Sequence, residues 1–258
     1  MDHSIDPNKR FYKEYTMLEE ITLIIDGDPL LFRAAYNSDN LEHAREKYED
    51  KLQDIKNSCF SETCVIAVFG KDNFRMSFDT EYKNTPSRKN SKANNPHYFQ
   101  LREQLLEEGL VVPADGMEAD DLVRIWAEEY KAAGKKFVVV SVDKDLQCIP
   151  GHHYLIHRAE LIHRSEDWAD NHYWTQILTG DSVDNIKGIR GIGPKKAEKI
   201  LTGSKTSKER KQRVIDTYFE VYGATWKEEM IHTGTLIHIM RTPTDMFALR
   251  DGDKPTGV

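Results

Sequence analysis

The stretch ITLIIDGDPLLF, residues 21–32, decides the fold, because an unbroken apolar run ends there at an acid, Asp26. Two further runs have the same character: CVIAVF ends just before Gly70, and FVVVS ends at Ser141. All three are rich in β-branched residues and lack polar alternation, which is typical of strands buried on both faces of a parallel sheet.

Helical patterns separate these runs, at about Leu41 to Ser58, Tyr98 to Glu108 and Ala119 to Ala133. Because strand and helix alternate, we expect an α/β fold with a central, mostly parallel sheet flanked by helices. Past Glu166 the pattern is helical, with further helices near Lys208 to Tyr222 and Trp226 to Met240. The chain is therefore expected to have an α/β core over residues 1–165 and a helical module over residues 166–258.

The composition is that of a soluble globular protein, with 258 residues, 39% hydrophobic and 31% charged. No apolar run is long enough to cross a bilayer, and the first 15 residues, MDHSIDPNKRFYKEY, lack the apolar segment of a secretory signal. Cys59, Cys64 and Cys148 show no zinc-site spacing, which favours reduced thiols. We expect a cytoplasmic protein that does not bind membranes, and one in the host cytoplasm if the chain is of phage origin.

The net charge of -7 opposes a purely electrostatic attraction to nucleic acid, but the basic residues are concentrated in two segments. Residues 83–99 carry four cations and no acid, and residues 187–213 carry ten cations against two acids. Residues 83–96, KNTPSRKNSKANNP, have almost no apolar side chain and are expected to form a mobile loop.

Acidic residues follow each apolar run: Asp26 ends the first, Asp72 lies just past the second, and Asp143 and Asp145 lie just past the third. Ligands of open α/β sheets bind where the strands end, so these acids are expected to converge on one edge.

Two more acidic sets lie on helical patterns: Glu118, Asp120 and Asp121, and then Asp181 and Asp184. Residues three apart on a helix share a face. Many carboxylates in one place repel one another unless a cation neutralises them, and oxygen ligands favour Mg²⁺ or Mn²⁺. Two such ions can activate a water and stabilise the leaving oxygen of a phosphodiester.

The segment GIRGIGPKKAEKIL, residues 188–201, places Gly191 and Gly193 before a proline suited to the first position of a helix. Backbone N–H groups at such a helix start can hold a phosphate, and Lys195, Lys196 and Lys199 add positive charge.

Three motifs, GMEADDL at 116–122, SVDKDL at 141–146 and TGDSVDNIKGIRGIGPKKAEKIL at 179–201, resemble the flap endonuclease and 5′-to-3′ exonuclease family in this order and spacing. The resemblance is strongest to its compact bacteriophage members and covers roughly Ile21 to Leu201. It implies a metal-dependent nuclease, with two Mg²⁺ or Mn²⁺ ions, that hydrolyses phosphodiester bonds of DNA as a 5′-to-3′ exonuclease and flap endonuclease.

By this resemblance the metal-binding acids are Asp26, Asp72, Glu118, Asp120, Asp121, Asp143, Asp145, Asp181 and Asp184. The family places its second acid a few residues before a Phe-Arg pair, here Phe74-Arg75, which favours Asp72 and leaves Asp79 as the alternative.

The resemblance also assigns the residues that contact DNA. Lys83 and Arg75 are implied to contact phosphate in catalysis, and Tyr82 and Arg88 lie at a short, flexible arch near residues 83–97. The glycine turn, with Gly191, Gly193 and the lysines after them, matches a helix-hairpin-like element that binds duplex DNA. Whether a potassium ion binds at that turn is left open.

The partners implied are DNA with a free 5′ end or 5′ flap, an RNA primer on DNA, and replication proteins that accompany a separate polymerase.

Other enzyme classes remain as alternatives. Asp26 and Asp28 form the DxD of haloacid-dehalogenase-type phosphatases, but Leu30 stands where those enzymes usually have Thr or Val. A PIN-type ribonuclease shares the acid-rich α/β core without the glycine turn, and a catalytically dead nuclease fold could bind DNA only.

Overall fold

The computed structural model of the chain describes residues 20–85 and 95–257. Six strands of this part form one sheet in the order β3-β2-β1-β4-β5-β6. The strands are β1 Ile21–Asp26, β2 Thr63–Phe69, β3 Val112–Ala114, β4 Lys136–Ser141, β5 Gly151–Leu155 and β6 Glu160–Arg164. Neighbouring strands are parallel except for the antiparallel β5 and β6. The predicted α/β fold with a mostly parallel sheet is confirmed.

The helices are α1 Asp28–Ala35, α2 Leu41–Cys59, α3 Phe74–Phe78, α4 Pro96–Glu107, α5 Ala119–Ala132, α6 Glu166–Thr179, α7 Pro194–Leu201, α8 Ser207–Tyr222 and α9 Trp226–Ile237. A two-stranded ribbon, β7 Gly180–Asp181 and β8 Ile186–Lys187, connects α6 to the glycine turn. Helix α9 ends three residues before the predicted Met240, because the backbone becomes extended at His238.

The three apolar runs form β1, β2 and β4, as predicted. The sequence pattern did not predict β3, β5 and β6. Strand β3 has only three residues, and β5 and β6 read GHHYL and ELIHR, which lack a long apolar run.

Side chains alternate across the sheet because successive residues of a strand point to opposite faces. Leu23 and Ile25 of β1 pack in one cluster with the helices α1, α2 and α4. Ile24 packs on the other face with Val123 of α5. A third cluster, which includes Ile177, joins α6 to α7, α8 and α9. The sheet is thus buried on both faces, and none of the described helices is long and apolar enough to span a bilayer.

Candidate active site

Strand register brings the first acids together. Asp26 ends β1 and pairs with Ala67 of β2, while Ile25 beside it pairs with Val140 of the central strand β4. Asp143 and Asp145 therefore follow β4 at the same edge of the sheet as Asp26. The hydroxyl of Ser141 connects the two strands, since it donates to Asp26 Oδ2 at 3.0 Å and accepts from the Asp143 amide at 2.9 Å.

Eight carboxylates act on one another electrostatically at this edge, and we call them the carboxylate cluster. Its members are Asp26, Asp28, Glu118, Asp120, Asp143, Asp145, Asp181 and Asp184. They come from the ends of β1 and β4, the starts of α1 and α5, and the ribbon β7–β8. Two lysines, Lys83 and Lys144, lie among them.

Burial and mutual repulsion keep protons on part of the cluster. Burial, together with the charges of Asp28 and Asp143, raises the pKa of Asp26 to about 8. The same two causes raise the pKa of Asp120 well above its usual range, with Asp26 and Asp143 as the repelling groups. Burial and the charges of Asp143 and Asp181 raise the pKa of Asp145 to about 7. The edge therefore holds more carboxylates than its own two lysines can neutralise, and protons take the place of further cations.

Lys83 is the cation nearest the centre of the cluster. Its Nζ donates to Glu118 Oε1 at 2.6 Å and lies 3.5 Å from Asp184 Oδ2, while its amide donates to the Asp184 carbonyl at 2.9 Å. Burial would raise the pKa of Glu118, but the charges of Lys83 and Arg75 outweigh it and lower that pKa. Lys83 has a left-handed backbone, φ 55°, an uncommon conformation for a side-chain-bearing residue that turns the chain into the cluster.

The last two acids, Asp181 and Asp184, lie on the ribbon β7–β8 and its turn, so the expectation that they share a helix face is wrong. Asp181 is buried, and its Oδ2 lies 2.9 Å from Lys144 Nζ. Gly180 and Gly188 face each other across this ribbon, and a Cβ added at Gly188 would lie 2.1 Å from the Thr179 carbonyl carbon. Only glycine permits this close approach of the two backbones. It holds the start of the glycine turn, at Gly188, beside the strand that carries Asp181.

Comparisons with known proteins agree with this architecture. The sequence matches the family described as "5'-3' exonuclease, N-terminal resolvase-like domain" over residues 21–174, more than half of the chain. The chain belongs to the 5′-3′ exonuclease family.

Two relatives show how the chain compares in length with members of this family. DNA polymerase I of Rhizobium leguminosarum is 31% identical over 164 residues, which cover 58% of this chain and 16% of that protein. The 5′-3′ exonuclease of Buchnera aphidicola is 28% identical over 209 residues, 72% of this chain and 71% of that protein. This chain thus spans a small part of the polymerases and most of the exonuclease.

Solved structures share the fold. A zinc-bound 5′-exonuclease of T5 has a TM-score of 0.59 at 18% identity, with 85% of this chain and 100% of that chain covered. The bacteriophage T5 D15 flap endonuclease in a complex with DNA and metal ions has a TM-score of 0.58 at 17% identity, with 85% and 99% covered.

Arg75 and Asp121 differ from the expectation for this exonuclease family. Arg75 is 1% exposed and donates to both oxygens of the fully buried Asp121, at 2.6 and 2.9 Å. Asp121 also accepts from the amides of Glu118 and Met240. The structure thus places Asp121 in a buried ion pair outside the carboxylate cluster, and Arg75 has no surface on which to contact a phosphate.

The second strand contributes no acid to the cluster. Asp72 is exposed, and Asp79 accepts from the Glu81 amide and lies 3.1 Å from His232 Nε2. Gly70, directly after β2, is confined by the backbone of β3, since an added Cβ would lie 2.3 Å from the Ala114 carbonyl carbon. An acidic side chain cannot fit there without a backbone shift.

Asp28 takes part in the cluster instead, although the family resemblance does not place it among the metal-binding acids. Its Oδ2 accepts from the Phe69 amide at the end of β2, at 2.8 Å, and its Oδ1 accepts from the Tyr98 hydroxyl at 2.9 Å. These bonds hold the carboxylate between β2 and α4. Its position two residues after Asp26 was the available signal.

The residues predicted at the arch are only partly described. Tyr82 is 2% exposed, and its hydroxyl donates to Glu118 Oε2 at 2.8 Å. This buried side chain therefore fixes the orientation of a cluster carboxylate. Arg88 and most of the arch lie outside the described residues.

The glycine turn leads into a helix that starts at its proline, as the sequence predicts. Gly191 has a left-handed φ of +80°, and Pro194 begins α7. A shallow depression of about 470 Å³ is lined by Gly191, Gly193, Pro194, Lys195 and Lys196. The Lys196 ammonium donates to the Gly191 carbonyl at 2.8 Å, so a cation already lies on that oxygen. Lys199 follows in the last turn of α7.

The donors of the carboxylate cluster suit a hard divalent cation, because all are carboxylate oxygens and the pKa values of four acids are raised. Within residues 20–85 and 95–257, however, no three acidic, histidine or cysteine side chains are grouped closely enough to hold an ion as they stand. Lys83 and Lys144 neutralise Glu118 and Asp181 in this arrangement.

Proposed function

We propose that this protein is a divalent-metal-dependent 5′-nuclease that hydrolyses phosphodiester bonds of DNA, as a 5′-to-3′ exonuclease and a structure-specific flap endonuclease. The observation that carries the proposal is the carboxylate cluster at the carboxyl edge of a family-typical sheet, with Lys83 beside it. Relatives named 5′-3′ exonuclease in Buchnera aphidicola and flap endonuclease in Vibrio atlanticus support the reaction class.

The cluster is proposed to hold two Mg²⁺ or Mn²⁺ ions. Its oxygen donors fit these ions, and a bound cation would lower the raised pKa values of Asp26, Asp120 and Asp145 by offsetting their mutual repulsion. When bound, the ions would activate a water and stabilise the leaving oxygen. Asp28 replaces the second-strand acid in this set, and Asp121 supports the set through Arg75 rather than as a ligand.

Lys83 is proposed to contact the scissile phosphate. Its ammonium is held by Glu118 and Asp184, and the side chain as a whole is 21% exposed, so a phosphate could approach it beside the acids. A fixed positive charge beside a developing oxyanion stabilises the transition state without reorganisation. The Tyr82 hydroxyl donates to Oε2 of Glu118, the carboxylate oxygen that Lys83 does not contact. It thereby orients Glu118 and keeps this lysine in place.

Duplex DNA is proposed to bind along residues 166–258 at the glycine turn, where the start of α7 presents backbone N–H groups and lysines. A potassium ion at the Gly191 carbonyl would compete with the Lys196 ammonium, which lies there now. A 5′ flap would pass the arch near residues 83–97, and an RNA primer on DNA or replication proteins would be further partners.

Magnesium-dependent cleavage of a 5′-labelled duplex with a single-stranded 5′ flap tests the proposal. We expect wild type to cut near the junction or the 5′ end, and Asp143→Ala to reduce the rate by roughly 10²–10³-fold, as loss of a group that stabilises transition-state charge does. Asp50→Ala is the matched control, because Asp50 is exposed on α2, away from the cluster. Duplex binding without cleavage in Mg²⁺ or Mn²⁺ would contradict the nuclease function and favour a DNA-binding protein.

A further inference from the structure

A cleft of about 400 Å³ lies beside the carboxylate cluster, and its lining includes three cations, Lys144, Arg158 and Arg164. Its polar lining consists of Asp143, Lys144, Gln147, His157, Arg158 and Arg164. Of the described residues, Asp143 is the one acid that lines it, and Asp143 belongs to the cluster as well. The cleft therefore continues the cluster toward the β5–β6 hairpin with the opposite sign of charge.

The turn between β5 and β6 presents one of these cations, Arg158. Ala159 closes the turn with a left-handed φ of 50°, directly after Arg158. The Arg158 side chain is 65% exposed, and its nearest carboxylate oxygen, on Glu160, is 3.9 Å away. A contact this long and exposed contributes little, so the charge of Arg158 is available to a ligand.

Arg164 is held rigidly on the other side of the cleft. Its guanidinium carbon lies 3.8 Å from the centre of the Trp168 ring, and its Nε and Nη2 both donate to Gln147 Oε1, at 2.9 and 2.6 Å. Neither group carries a charge. Burial lowers the pKa of Arg164, the charge of Glu160 offsets part of this, and the charge of Arg158 lowers it again. The cleft thus holds a pre-oriented cation that makes no salt bridge within the described part of the chain, although the charge of Glu160 acts on it.

A second cleft of about 310 Å³ shares Arg164 and extends the positive surface along the sheet. It is lined by Lys131, Lys135, Lys136, His152 and His163, among others, with Glu166 as its one described acid. The two clefts form a basic band that begins at the carboxylate cluster and leads away from it.

We propose that this basic band binds the backbone phosphates of the nucleic-acid strand whose scissile phosphate lies at the carboxylate cluster, with Arg158 and Arg164 as the first contacts. The inference rests on the proposed function, and it solves an electrostatic problem. A polyanion must approach eight carboxylates on a protein of net charge -7, so cations adjoining the cluster add to the attraction of the proposed metal ions and the α7 lysines. A planar guanidinium with free N–H groups suits a phosphate better than an ammonium does.

The test is the salt dependence of binding to a fluorescein-labelled 5′-flap duplex, measured by anisotropy in Ca²⁺ to avoid cleavage. Each phosphate contact contributes about -0.9 to the slope of the logarithm of the association constant against the logarithm of the salt concentration. At 0.1 M salt, one such contact therefore strengthens binding by about eightfold. We expect Arg158→Ala and Arg164→Gln each to weaken binding by about that factor and to reduce the slope by about 0.9. Arg158→Lys, which keeps the charge, should restore the slope.

Lys51→Ala is the control, because Lys51 is an exposed cation on α2, outside both clefts. Arg158→Ala removes an exposed side chain, so its effect is not a folding defect, and equal thermal unfolding of all variants checks this. Unchanged affinity and slope in both arginine variants, with wild type still cutting the flap, would overturn the basic band and leave the nuclease function intact. If Arg158→Ala weakened the binding of inorganic phosphate but left flap-duplex binding unchanged, the site would be one for free phosphate, and the strand proposal would fail.

Discussion

Replacing Arg75 with methionine should destabilise the protein strongly while leaving its substrate contacts in place. Arg75 is 1% exposed, makes two bonds to Asp121, and donates to the carbonyls of Leu236 and His238. Without it, Asp121 keeps only the amides of Glu118 and Met240.

The magnitude follows from the buried ion pair. Removing one member of such a pair leaves an uncompensated charge in the interior and costs about 3–5 kcal/mol. We therefore expect the free energy of unfolding in urea to fall by about 4 kcal/mol in Arg75→Met. The double variant Arg75→Met with Asp121→Leu should regain a large part of this loss, because it removes both charges.

A second consequence is local. Arg75 and Asp121 together hold the segment from Leu236 to Met240 against α3 and α5. Trypsin should therefore cut after the exposed Arg241 faster in Arg75→Met than in wild type, at a temperature where both are folded.

One result would refute this reasoning. If Arg75→Met unfolded within about 1 kcal/mol of wild type but lost flap cleavage, the effect would be that of a catalytic group and not of a buried pair. Arg75 would then act on phosphate, as the family resemblance implies.

Three further predictions concern the metal site, a close contact and pH. Asp28→Asn should weaken Mn²⁺ binding by roughly 10–100-fold in calorimetry, whereas Asp72→Asn should not; the reverse result would return the second-strand ligand to Asp72. Gly70→Ala should lower the unfolding free energy by about 3 kcal/mol, because its Cβ would meet the Ala114 backbone, while Gly252→Ala, in open space, should cost under about 1 kcal/mol; equal effects would contradict the contact. Burial lowers the pKa of His153 from 6.5 to about 4, so the unfolded state binds the extra proton between these values. Stability should be complete above pH 6.5 and fall by about 3 kcal/mol as pH drops to 4, and His153→Gln should remove that part of the pH dependence; parallel curves for the two proteins would disprove it.

Local pattern was sufficient to predict much of this fold. The unbroken apolar runs ending at Asp26, Phe69 and Ser141 became β1, β2 and β4, because a strand buried on both faces needs apolar residues at every position. Strand β3 escaped prediction, since three residues carry too little periodicity to recognise.

The same pattern determined which edge of the sheet carries the acids. Parallel strands end at one edge of a sheet. Once β1 lies beside β4, Asp26, Asp143 and Asp145 are therefore close together. The glycine turn was equally readable, because glycines before a proline define a helix start by their backbone conformation alone.

Only the tertiary structure decided which acids join the cluster. Glu118 caps α5 and Asp121 lies in its first turn, yet Arg75, 46 residues before Asp121, pairs with Asp121 and turns it into a buried support. Asp28 enters because the end of β2 donates to it and because Gly70 has no room for a side chain beside β3. Residue type and spacing determined where carboxylates are available, whereas their protonation and partners depend on burial and on charges brought in from distant parts of the chain.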